Sequence, residues 1–223
     1  MSRASIEHWN ANQVAAVPDD ISEWHSQALL DWRNQQYPRL LELMPVNYPG
    51  RTVIDFGCGP GHDTIMFLQN GAAHVYAVDS AFSALRYTYA RLKAHGFLER
   101  CTLVLVGEDE WRLPKVDHIH SAGVIHHIED PVSALRKLRL SLKQGAELRM
   151  MVYAAESEFV RLHGGPEGFE QIADGTAPIA KAWTRQQVQE IAVNAGLRAE
   201  YLGGYLMAEN EGPGLGGCWS LKR

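Results

Sequence analysis

Three things are scarce in this 223-residue chain, and each scarcity excludes a class of function. Long apolar runs come first. None approaches the roughly 18 consecutive apolar residues that span a bilayer, so no transmembrane helix and no membrane partner are expected. Residues 1–12 are polar and lack the apolar centre of a secretory signal. Cysteine is second: Cys58, Cys101 and Cys218 are scattered and form no C-x-x-C pair. That spacing argues against a disulfide framework or a structural zinc, and for a reducing, cytoplasmic setting. Positive charge is third. Lys and Arg number 21 against 26 Asp and Glu, a formal net charge of −5, and there is no basic tract. Such a balance disfavours nucleic acid as a partner. Internal repeats and low-complexity linkers are also missing.

What is present has the size and apolar content (46%) of one α/β domain. The most informative stretch is Val53-Ile54-Asp55-Phe56-Gly57-Cys58-Gly59-Pro60-Gly61. A buried strand runs into a glycine turn, and a helix opens just beyond it. About twenty residues on, Val75-Tyr76-Ala77-Val78-Asp79 is a second strand ending in a carboxylate. Glycines permit steep backbone angles and place no side chain between main chain and ligand. A helix N-terminus offers N–H groups to an anion, and Asp79 stands where a carboxylate grips ribose hydroxyls. The pattern therefore predicts an adenosine-containing cofactor. A dinucleotide fingerprint would read G-x-G-x-x-G. Here the spacing is Gly57-x-Gly59-x-Gly61, with Asp55 two positions upstream, a charge that suits an ammonium group better than a pyrophosphate.

Strands are predicted near 52–56, 74–78, 102–106, 116–121 and 147–153, and again near 198–208 and 217–222. Helices are predicted near 62–70, 81–95 and 131–142, the last ended by Gln144-Gly145, with another opening at Trp183-Thr184 and closed by Gly196. Such alternation specifies helices on both faces of a mostly parallel sheet.

Asp55 to Gly61, Asp79 and the run Ser121-Ala122-Gly123-Val124-Ile125-His126-His127-Ile128-Glu129-Asp130-Pro131 together resemble the class I S-adenosylmethionine-dependent methyltransferases, in particular their small-molecule members. The resemblance covers about residues 50–153 well and 183–223 loosely. Two departures are visible: Gly107-Glu108-Asp109 where the family more often has Gly-Asp, and Gln144-Gly145-Ala146 where it has Pro-Gly-Gly. The resemblance implies a Rossmann-like, doubly wound sheet of seven strands, mostly parallel with an antiparallel last strand, helices on both faces and an N-terminal helical cap. It implies one methyltransferase domain over 1–223: a cap at 1–48, a cofactor-binding core at 50–153, a substrate-side insertion at 155–182, and a final helix and strand pair at 183–223.

It also implies roles. Asp55, Gly57, Cys58, Gly59, Gly61, Asp63, Thr64 and Ser121 would line the methionine half of S-adenosylmethionine. Asp79 and Ser80 would hold the ribose and adenine side, and Glu108 or Asp109 the adenine amino group. In the cap, Trp24, Trp32 and Tyr37 are expected to pack their helix onto the sheet. If the acceptor must lose a proton, His126 and His127 are the first candidate bases, with Tyr153 and His163 behind them. His118 and His120 share a strand face, but a buried strand more often holds such residues in hydrogen bonds than on a metal, and no metal site is expected. The expected reaction is in-line methyl transfer to an O or N nucleophile of a small-molecule acceptor, with a homodimer left open. Modification of a protein or tRNA, and a non-catalytic cofactor-binding module, are the alternatives.

Overall fold

The structure is a computed structural model that describes residues 3–12, 16–107, 111–162, 180–205 and 216–223. Its centre is β1 (Thr52–Phe56), whose last four residues are all buried. That is the pattern of a strand covered on both faces. Val53 packs with Leu30, Ile65, Phe67, Leu68 and Leu92 on one side. Ile54 packs with Leu135, Leu138, Val188 and Ala192 on the other. One residue of register thus separates the two cores.

From β1 the chain winds outward through β2 (His74–Asp79) to β3 (Cys101–Leu105). It then returns to β4 (Val116–Ala122) on the other side of β1 and continues to β5 (Leu142–Tyr153). These neighbours pair in parallel. β6 (Arg198–Tyr205) forms the far edge, and β7 (Gly216–Lys222) inserts antiparallel between β5 and β6. The seven-stranded order β3-β2-β1-β4-β5-β7-β6 reverses direction between β1 and β4. Ligands of open α/β sheets bind at such a switch point, beyond the carboxyl ends of the strands.

The helices are α1 (Arg3–Ala11), α2 (Glu23–Gln36), α3 (Pro38–Leu43), α4 (His62–Gln69), α5 (Phe82–Ala94), α6 (Pro131–Leu140), α7 (Glu158–Leu162) and α8 (Arg185–Asn194). Local signals set several boundaries. The Asp130 carboxylate accepts from Ser133 N–H ahead of Pro131 at the start of α6. Thr184 and Gln187 form a reciprocal capping box on α8, and Gly196 takes φ +75 just past its end. Among the described residues no helix is long and apolar enough to cross a membrane.

Two expectations need correction. Gln144-Gly145 does not end α6, which stops at Leu140 with Ser141 as its cap. Gly145, at φ +76, instead lies inside β5, where the pairing with β4 slips between Val116 and His118. Lys143 there reaches back to Asp117 at 3.0 Å, an ion pair that holds the irregular turn against the sheet. Nor do Trp24 and Trp32 pack α2 onto the sheet: they are 72% and 61% exposed. The buried face of α2 is Ser26 and Leu30, a narrower stripe than its aromatic content suggests.

Candidate functional site

The turn after β1 is built from positive-φ glycines. Gly57, Gly59 and Gly61 have φ of +77, +52 and +79. At Gly57 a side chain is excluded twice over, because a Cβ would also lie 2.1 Å from Val124 Cγ2. Gly57 and Cys58 donate their N–H groups to Val78 O at 2.7 and 3.0 Å, which ties the turn to the end of β2. Asp79 completes the tie: its Oδ2 accepts from Gly59 N–H and its Oδ1 from Ala81 N–H, both at 2.9 Å. Burial pushes the Asp79 carboxyl up, against the pull of those backbone donors. Two donors leave lone pairs on both oxygens for further hydroxyls.

This turn walls a cavity of about 210 Å³ at the β1–β4 switch point. Gly57, Cys58, Gly59, Asp63, Asp79, Ser80 and His127 line it. The other expected residues stand elsewhere. Asp55 and Thr64 lie behind the wall, joined by a 2.6 Å hydrogen bond from Thr64 Oγ1. Gly61 packs on Thr88. Ser121 is fully buried, and its hydroxyl meets no described partner. Both His126 ring nitrogens are buried with no described partner, and burial followed by His127 holds its pKa well below the ordinary value. Tyr153 lines a second cavity. Glu108, Asp109 and His163 lie outside the described residues.

The site also uses residues that the motifs did not suggest. Trp9 of α1 lines the cavity and meets the His127 ring at 5.2 Å. Arg33 of α2 enters the wall and clamps Asp63 with two bonds, of 2.6 and 2.9 Å. His120 adds a contact to Asp63 Oδ2 at 3.2 Å. Burial opposes ionisation of Asp63, but Arg33 and His120 outweigh it and hold the carboxyl well below its ordinary range. Asp55 lacks such a partner. Burial, reinforced by the Asp63 charge, raises it to about 6 despite His120, Thr64 and Arg33. His62 goes the other way, lowered to about 3 by burial and then by Arg91 and Arg33. A buried carboxylate calls for a cation, but no spacing in the sequence marks Asp63 as buried or Arg33 as its partner.

His118 and His120 are engaged in packing. His118 stacks on Tyr48 at 3.9 Å, and His120 meets the Phe67 ring edge-on at 5.3 Å.

A family model described as a methyltransferase domain matches residues 54–148, from β1 into β5. Those residues are a methyltransferase domain, consistent with the class I S-adenosylmethionine-dependent family. Among curated relatives, the tRNA U34 carboxymethyltransferase of Shewanella sediminis is 34% identical over 146 residues. That alignment covers 64% of this chain and 42% of the relative. The Shewanella woodyi enzyme of the same name is 34% identical over 129 residues, 57% of this chain and 36% of its own. The matched region thus spans about two fifths of the length of these curated relatives. The fold is shared with an S-adenosylmethionine-dependent methyltransferase of Mesorhizobium loti. That structure has a TM-score of 0.64 at 18% identity, over 89% of this chain and all of that one.

These relatives correct the expected partners. A small-molecule acceptor was expected from the resemblance and the missing basic tract, with nucleic acid disfavoured by the whole-chain charge of −5. The relatives act, by their names, on tRNA. Net charge averages over all surfaces and is blind to the few residues that meet an acceptor.

The pocket residues fit the family's cofactor. Gly59 opens to free space, with nothing within 4 Å of where a Cβ would stand. Beside it Asp79 offers acceptors for a ribose. Gly61, the N-cap of α4, has no side chain to cap that helix's first turn.

Proposed function

We propose that this methyltransferase transfers a methyl group to a nucleoside of tRNA, an anticodon-loop uridine being the first acceptor to test. The similarity to tRNA-modifying relatives, which spans 146 residues, carries this reading. S-adenosylmethionine, when bound, supplies a methyl group on a cationic sulfur that leaves as a neutral thioether.

The chain's own residues then have three tasks. Asp79 accepts from ribose hydroxyls, and Asp55, behind the wall, contributes negative charge for the ammonium end. Trp9 and the glycine turn exclude water and hold acceptor and donor in line, which accounts for much of the rate in such a transfer. His127, in the turn that follows β4 and in the cavity wall, takes a proton from the attacking atom where the acceptor has one to lose. His126 lies outside the cavity and supports the His127 ring at 4.2 Å.

Charge supports transfer of a methyl rather than a carboxymethyl group. A carboxymethyl group brings an extra carboxylate that needs a cation. Among the described lining residues the permanent cation is Arg33, already neutralised by Asp63, while His62 is held neutral.

The test is incubation of purified protein with unmodified tRNA and methyl-labelled S-adenosylmethionine, followed by nuclease digestion and nucleoside mass spectrometry. A nucleoside heavier by one methylene group is expected. Tight cofactor binding with no label in tRNA would overturn the acceptor and leave the cofactor assignment standing.

A further inference from the structure

A second cavity, of about 260 Å³, opens at the end of β5. The start of β7, the end of β6 and the first residue of α8 complete its lining. Its walls are aromatic: Tyr153, Trp183, Tyr201 and Trp219. Tyr201 and Trp219 meet edge-to-face at 5.0 Å. Gly217 makes room for both rings, since a Cβ there would lie 3.1 Å from Tyr201 Cε2 and 3.2 Å from Trp219 Nε1. Arg185 lies with its guanidinium 3.9 Å over the Tyr201 ring and is itself exposed. Glu156 stands beside it at the rim, its Oε1 accepting from Arg185 N–H at 3.3 Å.

A partly buried tyrosine capped by an exposed guanidinium plane is a stacking platform. Arginine planes and aromatic rings are the surfaces on which splayed, single-stranded bases stack. A carboxylate fixed at the edge of that platform accepts from N–H donors on a base edge. The position also matters. His127 walls the first cavity and Tyr153 the second, and His126 lies between them at 4.2 and 4.1 Å. The two cavities are therefore one imidazole apart.

We propose that the second cavity binds a nucleobase of the RNA acceptor next to the nucleotide presented for methylation. The base stacks on the Arg185–Tyr201 pair and is read on its N–H edge by Glu156. The inference rests on the RNA reading above. It adds a binding site that the cofactor motifs do not reach.

The test is fluorescence anisotropy of the full chain, saturated with S-adenosylhomocysteine, against short fluorescein-labelled single-stranded RNA oligomers of each base. Arg185→Ala and Tyr201→Leu should each weaken binding about tenfold, the loss of one stacked base. Tyr201→Leu should leave the salt dependence unchanged, because stacking releases no counterions. Glu156→Gln should change the ranking of the four oligomers. Calorimetric affinity for S-adenosylhomocysteine, unaltered in all three, confirms that the variants are folded. If the wild type binds RNA and the Tyr201 and Glu156 variants match it, the site is refuted while the RNA reading survives. If only Arg185→Ala acts, and lowers the salt slope, a phosphate contact replaces the base site. If the wild type binds no RNA, both readings fall.

Discussion

Removing Arg33 should destabilise the protein by an amount that depends on pH. The Arg33 and Asp63 side chains are 16% and 10% exposed. They thus lie near the limit where breaking an ion pair strands a buried charge. Losing one partner of such a pair costs about 3–5 kcal/mol. Because His120 still touches Asp63, the lower figure, about 3 kcal/mol, is expected for Arg33→Leu at pH 7. Asp63→Asn should cost less, since Arg33 can turn toward water. The double variant should be more stable than the sum of the singles by about 1–3 kcal/mol. Asp63 has a folded-state pKa below its unfolded value, so its contribution is present above about pH 4 and is lost as pH falls. The gap between wild type and Arg33→Leu should therefore narrow toward pH 3. Urea denaturation at several pH values, read as midpoints at constant slope, measures this directly. A loss under about 1 kcal/mol at pH 7, or a gap independent of pH, would show that the pair behaves as an exposed bridge and refute the reasoning.

Other predictions follow from the same geometry. Gly57→Ala combines a left-handed φ with overlap on Val124; it should lose about 2–5 kcal/mol of stability, and adding Val124→Ala should restore part of it. A single variant as stable as wild type in denaturation would contradict the described turn. Asp79→Asn should weaken S-adenosylhomocysteine binding by about 1–3 kcal/mol in calorimetry, and unchanged affinity would remove Asp79 from the site. Asp55 has a folded pKa of about 6, above its unfolded value, so its ionisation costs stability as pH rises from about 4 through 6. Asp55→Asn should thus gain on the wild type over that window, by at most about 3 kcal/mol, and a flat difference across pH would exclude the shift. His126→Phe, which removes two unpartnered buried nitrogens, should be neutral or stabilising, whereas His127→Phe should lower turnover; equal effects on turnover would merge their roles.

Much of the fold was legible because its signals are local. Asp130-Pro131 and Thr184 through Gln187 announce helix starts, and the mostly apolar 52–56 and 74–78, broken chiefly by Asp55 and His74, announce buried strands. The end of α6 was misread because Gly145 satisfies the helix-cap rule equally well from within an irregular strand. In the candidate site, the residues of the glycine turn and Asp79 were legible, since each performs a backbone task that few residue types can do. Trp9 and Arg33 were not. They come from helices far away in sequence, and only the folded chain shows that Asp63 is paired or that His127 has an aromatic cover. Asp55, Ser121 and His126 carry the family pattern yet stand behind the wall, a depth that no spacing rule reports.

Arg91 has a further consequence. This α5 guanidinium is fully buried and binds Ser26 Oγ, Ser26 O and Pro60 O at 2.9, 3.2 and 3.1 Å. A fourth contact, from the same Nη1 that meets Pro60 O, reaches His62 Nδ1 at 3.0 Å. One cation thus rivets α2 and the glycine turn to the same point on α5. Swinging α2 away would strip a buried charge of its partners, so that helix acts as a doorpost, a fixed side of the cleft that does not open to admit a ligand.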